Sequence, residues 1–143
     1  GKNKLKLFTV GRLDVASEGL ILVTNDGDFA QRVIHPSRGM DKEYHVSVDP
    51  ALTSQDLQRI NQGIELEDGV FTPLKVTARD HGRTVIFVIH EGRNRIIRRV
   101  FEKLGYCVKR LVRARIGGLE LGSLKPGQWI ELTREEMRRC FDV

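Results

Sequence analysis

The stretch Leu7–Asp28 reads LFTVGRLDVASEGLILVTNDGD and places a short polar loop between two apolar runs. The first run, Leu7–Val10, predicts a short strand, and the second, Leu20–Thr24, predicts a strand that is covered on both faces. The loop between them carries one aspartate, Asp14, and is bracketed by glycines. A loop this short holds a carboxylate rigidly at the edge of a sheet, where single-site chemistry is often located.

The rest of the chain alternates short strand and helix patterns. The predicted strands are Lys42–Val48, Val70–Ala78, Thr84–His90, Val108–Ile116 and Trp129–Leu132. The first predicted helix runs from Asp28 to Pro36, and the second begins at Thr53 and ends at Gly63. A third helix ends at Gly105, and a final helix is capped by Thr133. The sequence therefore predicts one α+β domain over residues 1–143, with a mixed, mainly antiparallel sheet flanked by a few helices.

The composition is that of a soluble globular domain, with 40% hydrophobic and 30% charged residues. No apolar run approaches the roughly 20 residues of a membrane-spanning helix, and no signal peptide opens the sequence. The two cysteines, Cys107 and Cys140, match no metal or redox spacing and are expected to be core residues. The histidines are scattered too, so we predict no metal site. A cytoplasmic location is expected, with an organellar one left open.

Positive charge is concentrated in one part of the chain, the basic segment Glu91–Arg115. This segment contains nine Lys/Arg and two acids, so it carries +7, whereas the remaining residues sum to −2. A localised basic stripe on a nearly neutral body is typical of a protein that binds a polyanion. The low aromatic content of 6% argues against an open base-stacking platform.

Three arginines of the basic segment, Arg95, Arg98 and Arg99, fall at the start of a predicted helix. The helix dipole disfavours cations there by about 0.3–1 kcal/mol each. Their position therefore predicts an anion opposite the helix start, either phosphates or a carboxylate such as Asp14. The alternative is a solvated helix face.

Other candidate residues have ordinary structural interpretations. Asp14 alone is compatible with a turn former, since aspartate favours turns. Tyr44 alternates with Val46 and Val48, which favours a core aromatic, although a buried ring with its hydroxyl at a cleft gives the same pattern. Trp129 is expected to be a core residue.

An ordered set of motifs runs through almost the whole chain. The set comprises Gly11-Arg12-Leu13-Asp14, Gly19-Leu20, Thr24-Asn25-Asp26-Gly27, Lys42-Glu43-Tyr44, Glu91-Gly92-Arg93-Asn94-Arg95 with Arg98-Arg99, and Arg113 with Ile116-Gly117. Together these motifs resemble the pseudouridine synthases, specifically the RsuA-like type that modifies ribosomal RNA. The resemblance implies a pseudouridine synthase-like catalytic domain.

The resemblance also implies roles for individual residues. Asp14 matches the catalytic aspartate, which initiates cleavage of the uridine glycosidic bond by attacking C1′ or by taking a proton from C2′. Tyr44 matches the tyrosine that stacks on the target base, and Arg98 matches the basic residue that pairs with the aspartate. Arg12 matches a residue that contacts RNA around the target nucleotide, and the basic stripe over residues 93–115 would hold the flanking phosphates. The predicted RNA contacts are therefore Arg12, Lys42, Arg93, Arg95, Arg99 and Arg113.

The implied reaction is an isomerisation of uridine to pseudouridine without a cofactor, and the implied partner is ribosomal RNA. The target uridine must leave its stack, as in other base-modifying enzymes. The alternative is a non-catalytic RNA-binding or ribosome-assembly module on the same fold, which would not need Asp14, Tyr44 and Arg98 together.

The chain departs from the family pattern in several places. Ser17 stands where threonine is usual, Ile96 replaces a glutamine, and Val100 replaces a methionine. The family's catalytic domain normally begins well before the aspartate, with a strand carrying a Lys-Pro-x-Gly motif, and a small RNA-binding domain precedes it. We therefore expect a partial catalytic domain without these parts, inactive if the missing strand is essential. A missing strand would leave an exposed sheet edge that can pair with another chain.

Overall fold

A computed structural model of the chain describes residues 7–34, 40–90, 92–93, 95–139 and 141. In chain order, the strands in this part are β1 (Phe8–Val10), β2 (Glu18–Gly19), β3 (Leu22–Thr24), β4 (Lys42–Asp49), β5 (Ile64–Leu66), β6 (Gly69–Phe71), β7 (Lys75–Arg79), β8 (Thr84–Ile89), β9 (Cys107–Ile116) and β10 (Leu119–Glu120). The helices are α1 (Gly27–Ile34), α2 (Ser54–Gln62), α3 (Ile96–Leu104) and α4 (Arg134–Arg139).

The main sheet has the strand order β10-β9-β4-β8-β7, in which every neighbouring pair is antiparallel. The short strand β2 joins β9 in parallel and makes the sheet mixed. The strands β1 and β3 form a separate antiparallel pair, as do β5 and β6. This architecture confirms the predicted α+β class with a mixed, mainly antiparallel sheet.

The larger hydrophobic core lies between one face of the main sheet and helices α2 and α3. Residues that alternate along the strands, such as Val46, Phe87 and Leu111, point into it. Phe101 of α3 packs edge-to-face on Phe87, with ring centroids 5.6 Å apart, an arrangement that aromatic pairs favour. The amphipathic pattern of α3 therefore fixes this helix, and the basic residues at its start, against the sheet.

A second, smaller core connects the β1–β3 pair and α1 to the end of the main sheet. Val10 and Leu22 from the two strands pack there with Val33 of α1 and with Ile116 at the end of β9. The Asp14 loop, residues 11–17, emerges from this unit between β1 and β2. The second core therefore sets where the loop starts relative to β9.

Several helix boundaries follow the predicted capping chemistry. The Thr53 hydroxyl accepts a hydrogen bond from the Asp56 amide at 3.1 Å, and Gly63 ends α2. At α4, Thr133 and Glu136 form a reciprocal capping box, with N···O distances of 3.0 and 3.1 Å. Gly105 ends α3 with φ +88°. These local predictions are confirmed because capping needs only neighbouring residues.

Other predictions are wrong in detail. Helix α1 is capped by Asp26, whose carboxylate accepts from the Asp28 and Phe29 amides at 3.0 and 3.2 Å, and not by Asp28. The predicted strand Val70–Ala78 is two strands, β6 and β7, which pair with different partners. The run Leu20–Thr24 is not covered on both faces, because β3 pairs with β1 in a two-stranded sheet and leaves Val23 53% exposed.

Two predictions of burial fail as well. The segment Trp129–Leu132 forms no strand, and Trp129 is 77% exposed. Cys107 is exposed at the start of β9, where the strand emerges from the core. The predictions on Pro36, Glu91, Asn94 and Cys140 concern residues outside the described ranges. Among the helices that are described, none has the length and apolar character needed to cross a membrane.

Candidate active site

The Asp14 loop is a tight turn. The Ser17 amide donates to the Asp14 carbonyl oxygen at 2.9 Å, which places Val15 and Ala16 at the tip. Asp14 is partly buried, whereas Val15 is fully exposed. The turn therefore holds the backbone of Asp14 close to the protein body.

The exit of the loop is fixed to β9 through Gly19. Gly19 is paired in parallel with Arg113, and the Leu20 amide donates to the Arg113 carbonyl oxygen at 2.9 Å. Gly19 has φ +119°, and a Cβ atom there would overlap the backbone of Arg113. A glycine is required because the two backbones approach too closely for any side chain. This glycine, which the sequence showed only as a loop boundary, therefore docks the loop.

Arg98 reaches the same loop from α3. Its Nη2 atom donates to the Ala16 carbonyl oxygen at 2.8 Å, 82 residues away in the sequence. No ion pair within 4 Å joins Arg98 to the Asp14 carboxylate in the part of the chain that the structure describes. The Arg98 Nε atom is buried and has no hydrogen-bond partner there. Arg98 therefore binds the backbone of the loop, and its pairing with Asp14 stays a prediction.

Arg93 and Arg99 lie opposite a different carboxylate, that of Asp68 in the β5–β6 turn. Arg99 binds it through two nitrogens, at 2.9 and 3.0 Å, and Arg93 adds a contact at 3.2 Å. Arg93 also donates to the Val70 carbonyl oxygen at 3.0 Å. The hydrogen bonds from Arg99 hold the pKa of Asp68 below its usual value. An anion therefore lies opposite the helix start, as predicted. It is the carboxylate of Asp68, a residue that the sequence analysis did not single out.

The other two predicted RNA contacts at this end of the molecule are more open. Arg95 precedes α3 in a left-handed conformation, φ +51°, and is exposed, with Glu102 at 3.8 Å. Arg12 is exposed in the Asp14 loop. Both guanidinium groups are accessible to a phosphate.

Tyr44 lies on β4 between Phe87 of β8 and Arg113 of β9. It is partly buried and packs against the larger core, so part of its ring serves the core as the strand pattern suggested. A register shift between Glu43 and Tyr44 makes Tyr44, rather than His45, the cross-strand partner of Arg113. Bulges of this kind re-aim side chains near functional sites.

Lys42 and Arg113 complete the set of predicted site residues. Burial and the nearby charge of Arg113 lower the pKa of Lys42. Arg113 is only 3% exposed, and its Nε atom donates to the Leu20 carbonyl oxygen at 2.8 Å. Arg113 therefore binds Leu20, just beyond the Asp14 loop, and is the cross-strand partner of Tyr44. A buried arginine in this position was not foreseen from the sequence, which only showed it in a basic stripe.

No group of three or more His, Cys, Asp or Glu side chains is arranged to bind a metal ion among the described residues. What the arrangement offers is a carboxylate on a rigid loop, a partly buried aromatic ring, and several cations around them. Such a site can form or break a bond at a carbon atom through the carboxylate while the ring holds a planar group.

Comparison with known proteins places these residues in a family. The model of a family described as RNA pseudouridylate synthase matches residues 1–103. An uncharacterized RNA pseudouridine synthase of Aquifex aeolicus is 41% identical over 139 residues, which are 95% of this chain and 56% of that protein. Ribosomal large subunit pseudouridine synthase B of Bacillus subtilis is 37% identical, with 94% of this chain and 57% of that protein aligned.

A solved structure gives the same result for the fold. The crystal structure of a pseudouridylate synthase superposes with a TM-score of 0.87 at 33% identity, over 94% of this chain and 60% of that one. The chain spans a little over half the length of these two curated relatives.

Proposed function

The chain belongs to the RNA pseudouridylate synthase family, and from that membership we propose that it isomerises a uridine of ribosomal RNA to pseudouridine. The observation that carries the proposal is the fixation of the Asp14 loop between Arg98 of α3 and Arg113 of β9, next to Tyr44. The ribosomal substrate is supported by relatives whose names specify the large ribosomal subunit.

In the proposed reaction the C1′–N1 bond of the uridine breaks, the uracil turns, and a C1′–C5 bond forms. The C5 proton is lost and N1 gains a proton, so the reaction is a net isomerisation that requires no oxidant and no reductant. Asp14 initiates the cleavage, either as a nucleophile at C1′ or as a base toward the C2′ proton. A carboxylate held in a fixed turn is suited to this step because correct placement removes much of the entropic cost.

Tyr44 has the place and the burial of a stacking residue. Its ring is supported by the larger core, while the neighbouring Asp14 loop lies across β9 from it. Stacking keeps the detached uracil in the site until it is rejoined. We assign Arg98 to the Asp14 carboxylate in the RNA-bound state, because its Nε atom is still available to an acceptor.

The RNA around the target uridine is assigned to the accessible cations. Arg12 and Arg95 are exposed, and Lys42 lies two residues before Tyr44 in β4. Arg93 and Arg99 hold Asp68, so they contribute to RNA binding only if a phosphate displaces that carboxylate. A phosphate-dominated interaction makes the affinity for RNA strongly dependent on salt.

The decisive variant is Asp14→Asn. We expect a full-length version of the protein to release tritium from ribosomal RNA labelled at uridine C5, because C5 loses its proton in the reaction. Asp14→Asn should release none above background while its affinity for RNA is retained. Asp28→Asn, which removes an exposed carboxylate from the same stretch, is the matched control and should behave as wild type.

Two results would contradict the proposal. Tritium release by Asp14→Asn at the wild-type rate would exclude Asp14 as the initiating residue. Tight RNA binding by a full-length version that releases no tritium would favour the non-catalytic RNA-binding module instead.

A further inference from the structure

We propose that Arg113 is a positioning residue of the catalytic centre and makes no contact with RNA phosphates. Its buried guanidinium and its backbone together fix the exit of the Asp14 loop to the strand that also positions Tyr44. This inference rests on the proposed function, since it names the residue that sets the relative placement of the two groups acting on the uridine.

The connection to the Asp14 loop has three parts. The Arg113 carbonyl oxygen accepts from the Leu20 amide at 2.9 Å, and the Arg113 Nε atom donates to the Leu20 carbonyl oxygen at 2.8 Å. The third part is the backbone approach at Gly19, where no Cβ fits. Arg113 thus satisfies both backbone groups of Leu20, and the loop exit has little freedom to move along β9.

The connection to Tyr44 is made across the sheet. Tyr44 and Arg113 are cross-strand partners, and the register shift in β4–β9 falls immediately beside them. Cross-strand partners have Cβ atoms about 4.5–5.5 Å apart, so a change at one is felt at the other. Arg113 is therefore both the residue of β9 that binds the exit of the Asp14 loop and the cross-strand partner of Tyr44.

The charge of Arg113 argues for a role beyond packing. The side chain is 3% exposed, its Nη2 atom is buried without a hydrogen-bond partner, and it forms no ion pair with any described residue. A buried unpaired cation is costly, and apolar residues of similar volume are often neutral or stabilising in such places. Methionine would fill the same space without a buried charge, so packing alone does not account for an arginine here. A guanidinium, in contrast, donates a hydrogen bond to the Leu20 carbonyl oxygen and remains charged.

The burial also separates Arg113 from the surface arginines. A phosphate contact requires an accessible guanidinium, as at Arg12 and Arg95. The prediction from the basic stripe that Arg113 binds RNA directly is replaced here by an indirect role.

The test compares Arg113→Met with Arg115→Met. Arg115 lies two residues further along β9, has a side chain 17% exposed, and donates to the Gly117 carbonyl oxygen at 2.8 Å. The two variants each remove one charge and one bond to a backbone carbonyl, and Arg115→Met also removes an ion pair with Glu43 at 3.6 Å. Arg113→Met should lower kcat by about 100-fold, the cost of misplacing a catalytic group by about 1 Å. Its KM for RNA and the salt dependence of binding should stay at wild-type values, and Arg115→Met should keep kcat.

Arg113→Lys tests whether the charge alone is sufficient. An ammonium lacks the planar fork of the guanidinium, so we expect kcat to remain well below wild type. Full activity in Arg113→Lys would overturn the positioning role, since charge would then be all that the site requires.

Hydrogen–deuterium exchange provides a readout that does not depend on catalysis. Arg113→Met should accelerate exchange in residues 12–20, and Arg115→Met should leave that segment as in wild type. Unchanged exchange in residues 12–20 would overturn the inference, whether or not the wild-type protein is active. An inactive wild-type protein whose Arg113→Met variant still shows faster exchange would contradict only the proposed function. Two further results would overturn the inference. One is a loss of RNA affinity in Arg113→Met together with a shallower salt dependence of binding. The other is an equal loss of kcat in Arg115→Met at the same Tm.

Discussion

At the scale of single residues, the site depends on residues whose role is shown only by their contacts with residues distant in the sequence. In the sequence Gly19 and Arg113 belong to separate motifs, and nothing there indicates that the two residues meet. Their contact exists because β2 pairs in parallel with β9, across more than 90 residues of chain, as the 93-residue separation of Arg113 from Leu20 shows. Asp14, by contrast, was predicted from its motif alone, and the structure gives it a fixed backbone.

Gly19→Ala is a direct test of this close approach. The new Cβ would overlap the Arg113 backbone and would also require φ +119°, so we expect the loop exit to leave β9. Activity should fall by about 100-fold or more, because Asp14 would be displaced. Tritium release measures the loss, and hydrogen exchange in residues 12–20 measures the displacement.

Gly127→Ala is the matched control for that variant. Gly127 has φ +82° but open space around its Cβ position, so it carries the backbone strain without the overlap. Such strain costs about 1–3 kcal/mol of stability and should leave activity intact. Equal activity losses in the two variants would mean that the docking of Gly19 has no special effect.

At the scale of elements, caps and side-chain bridges set where helices begin. The start of α2 is tied to the end of α3 by Tyr106, whose hydroxyl donates to the Asp56 carboxylate at 2.6 Å and accepts from the Thr53 amide at 3.2 Å. The hydrogen bond from Tyr106 is the main cause that lowers the pKa of Asp56. Thr53 as a cap was predicted from the sequence, and the tyrosine that supports it was not.

This bridge predicts a pH-dependent effect of Tyr106→Phe. Because the folded pKa of Asp56 lies below its unfolded value of about 3.9, its contribution to stability is present above that value. The contribution is lost as the pH falls through the lowered folded pKa. Tyr106→Phe should therefore reduce the free energy of unfolding by roughly 1 kcal/mol at pH 7, and the difference should shrink below about pH 4.

Urea unfolding at pH 7 and pH 3 measures that difference. The control is Arg59→Gln, which removes an exposed partner of the same carboxylate and should change stability very little. A Tyr106→Phe effect that is the same at both pH values would show that ionised Asp56 does not depend on this hydroxyl.

At the scale of the whole molecule, the basic segment is divided between internal and external use. Arg93 and Arg99 bind Asp68, Arg113 is buried, and the Lys103 ammonium donates to the Glu65 carbonyl oxygen. The net charge of +7 therefore overstates the number of cations that can meet RNA. Composition gives the charge of a segment, and only the fold gives its accessibility.

This division predicts which variants change the salt dependence of RNA binding. Replacing an exposed cation, as in Arg12→Ala or Arg95→Ala, should reduce the slope of log K against log salt by about one phosphate contact. Arg99→Ala should leave the slope nearly unchanged, because its guanidinium is held by Asp68. Titrations of ribosomal RNA fragments at several salt concentrations give the slopes, and a full unit lost in Arg99→Ala would contradict the division.

The predicted sheet edge open to another chain remains a prediction at this scale. In the described part of the chain β7 is an outer strand of the main sheet. The exposure of Val23 and Trp129 shows further apolar surface outside the two cores.

By itself, the sequence determined the properties that depend on neighbouring residues: the period of strands and helices, the caps at Thr53 and Thr133, and the ordered motifs that identify the family. Tertiary structure alone decided that Arg99 faces Asp68, that Arg113 holds the Asp14 loop, and that Trp129 is exposed. The physical reason is distance along the chain. Arg99 and Asp68 are 31 residues apart, Arg113 and Leu20 are 93 apart, and such contacts are specified only when the strands between them pair.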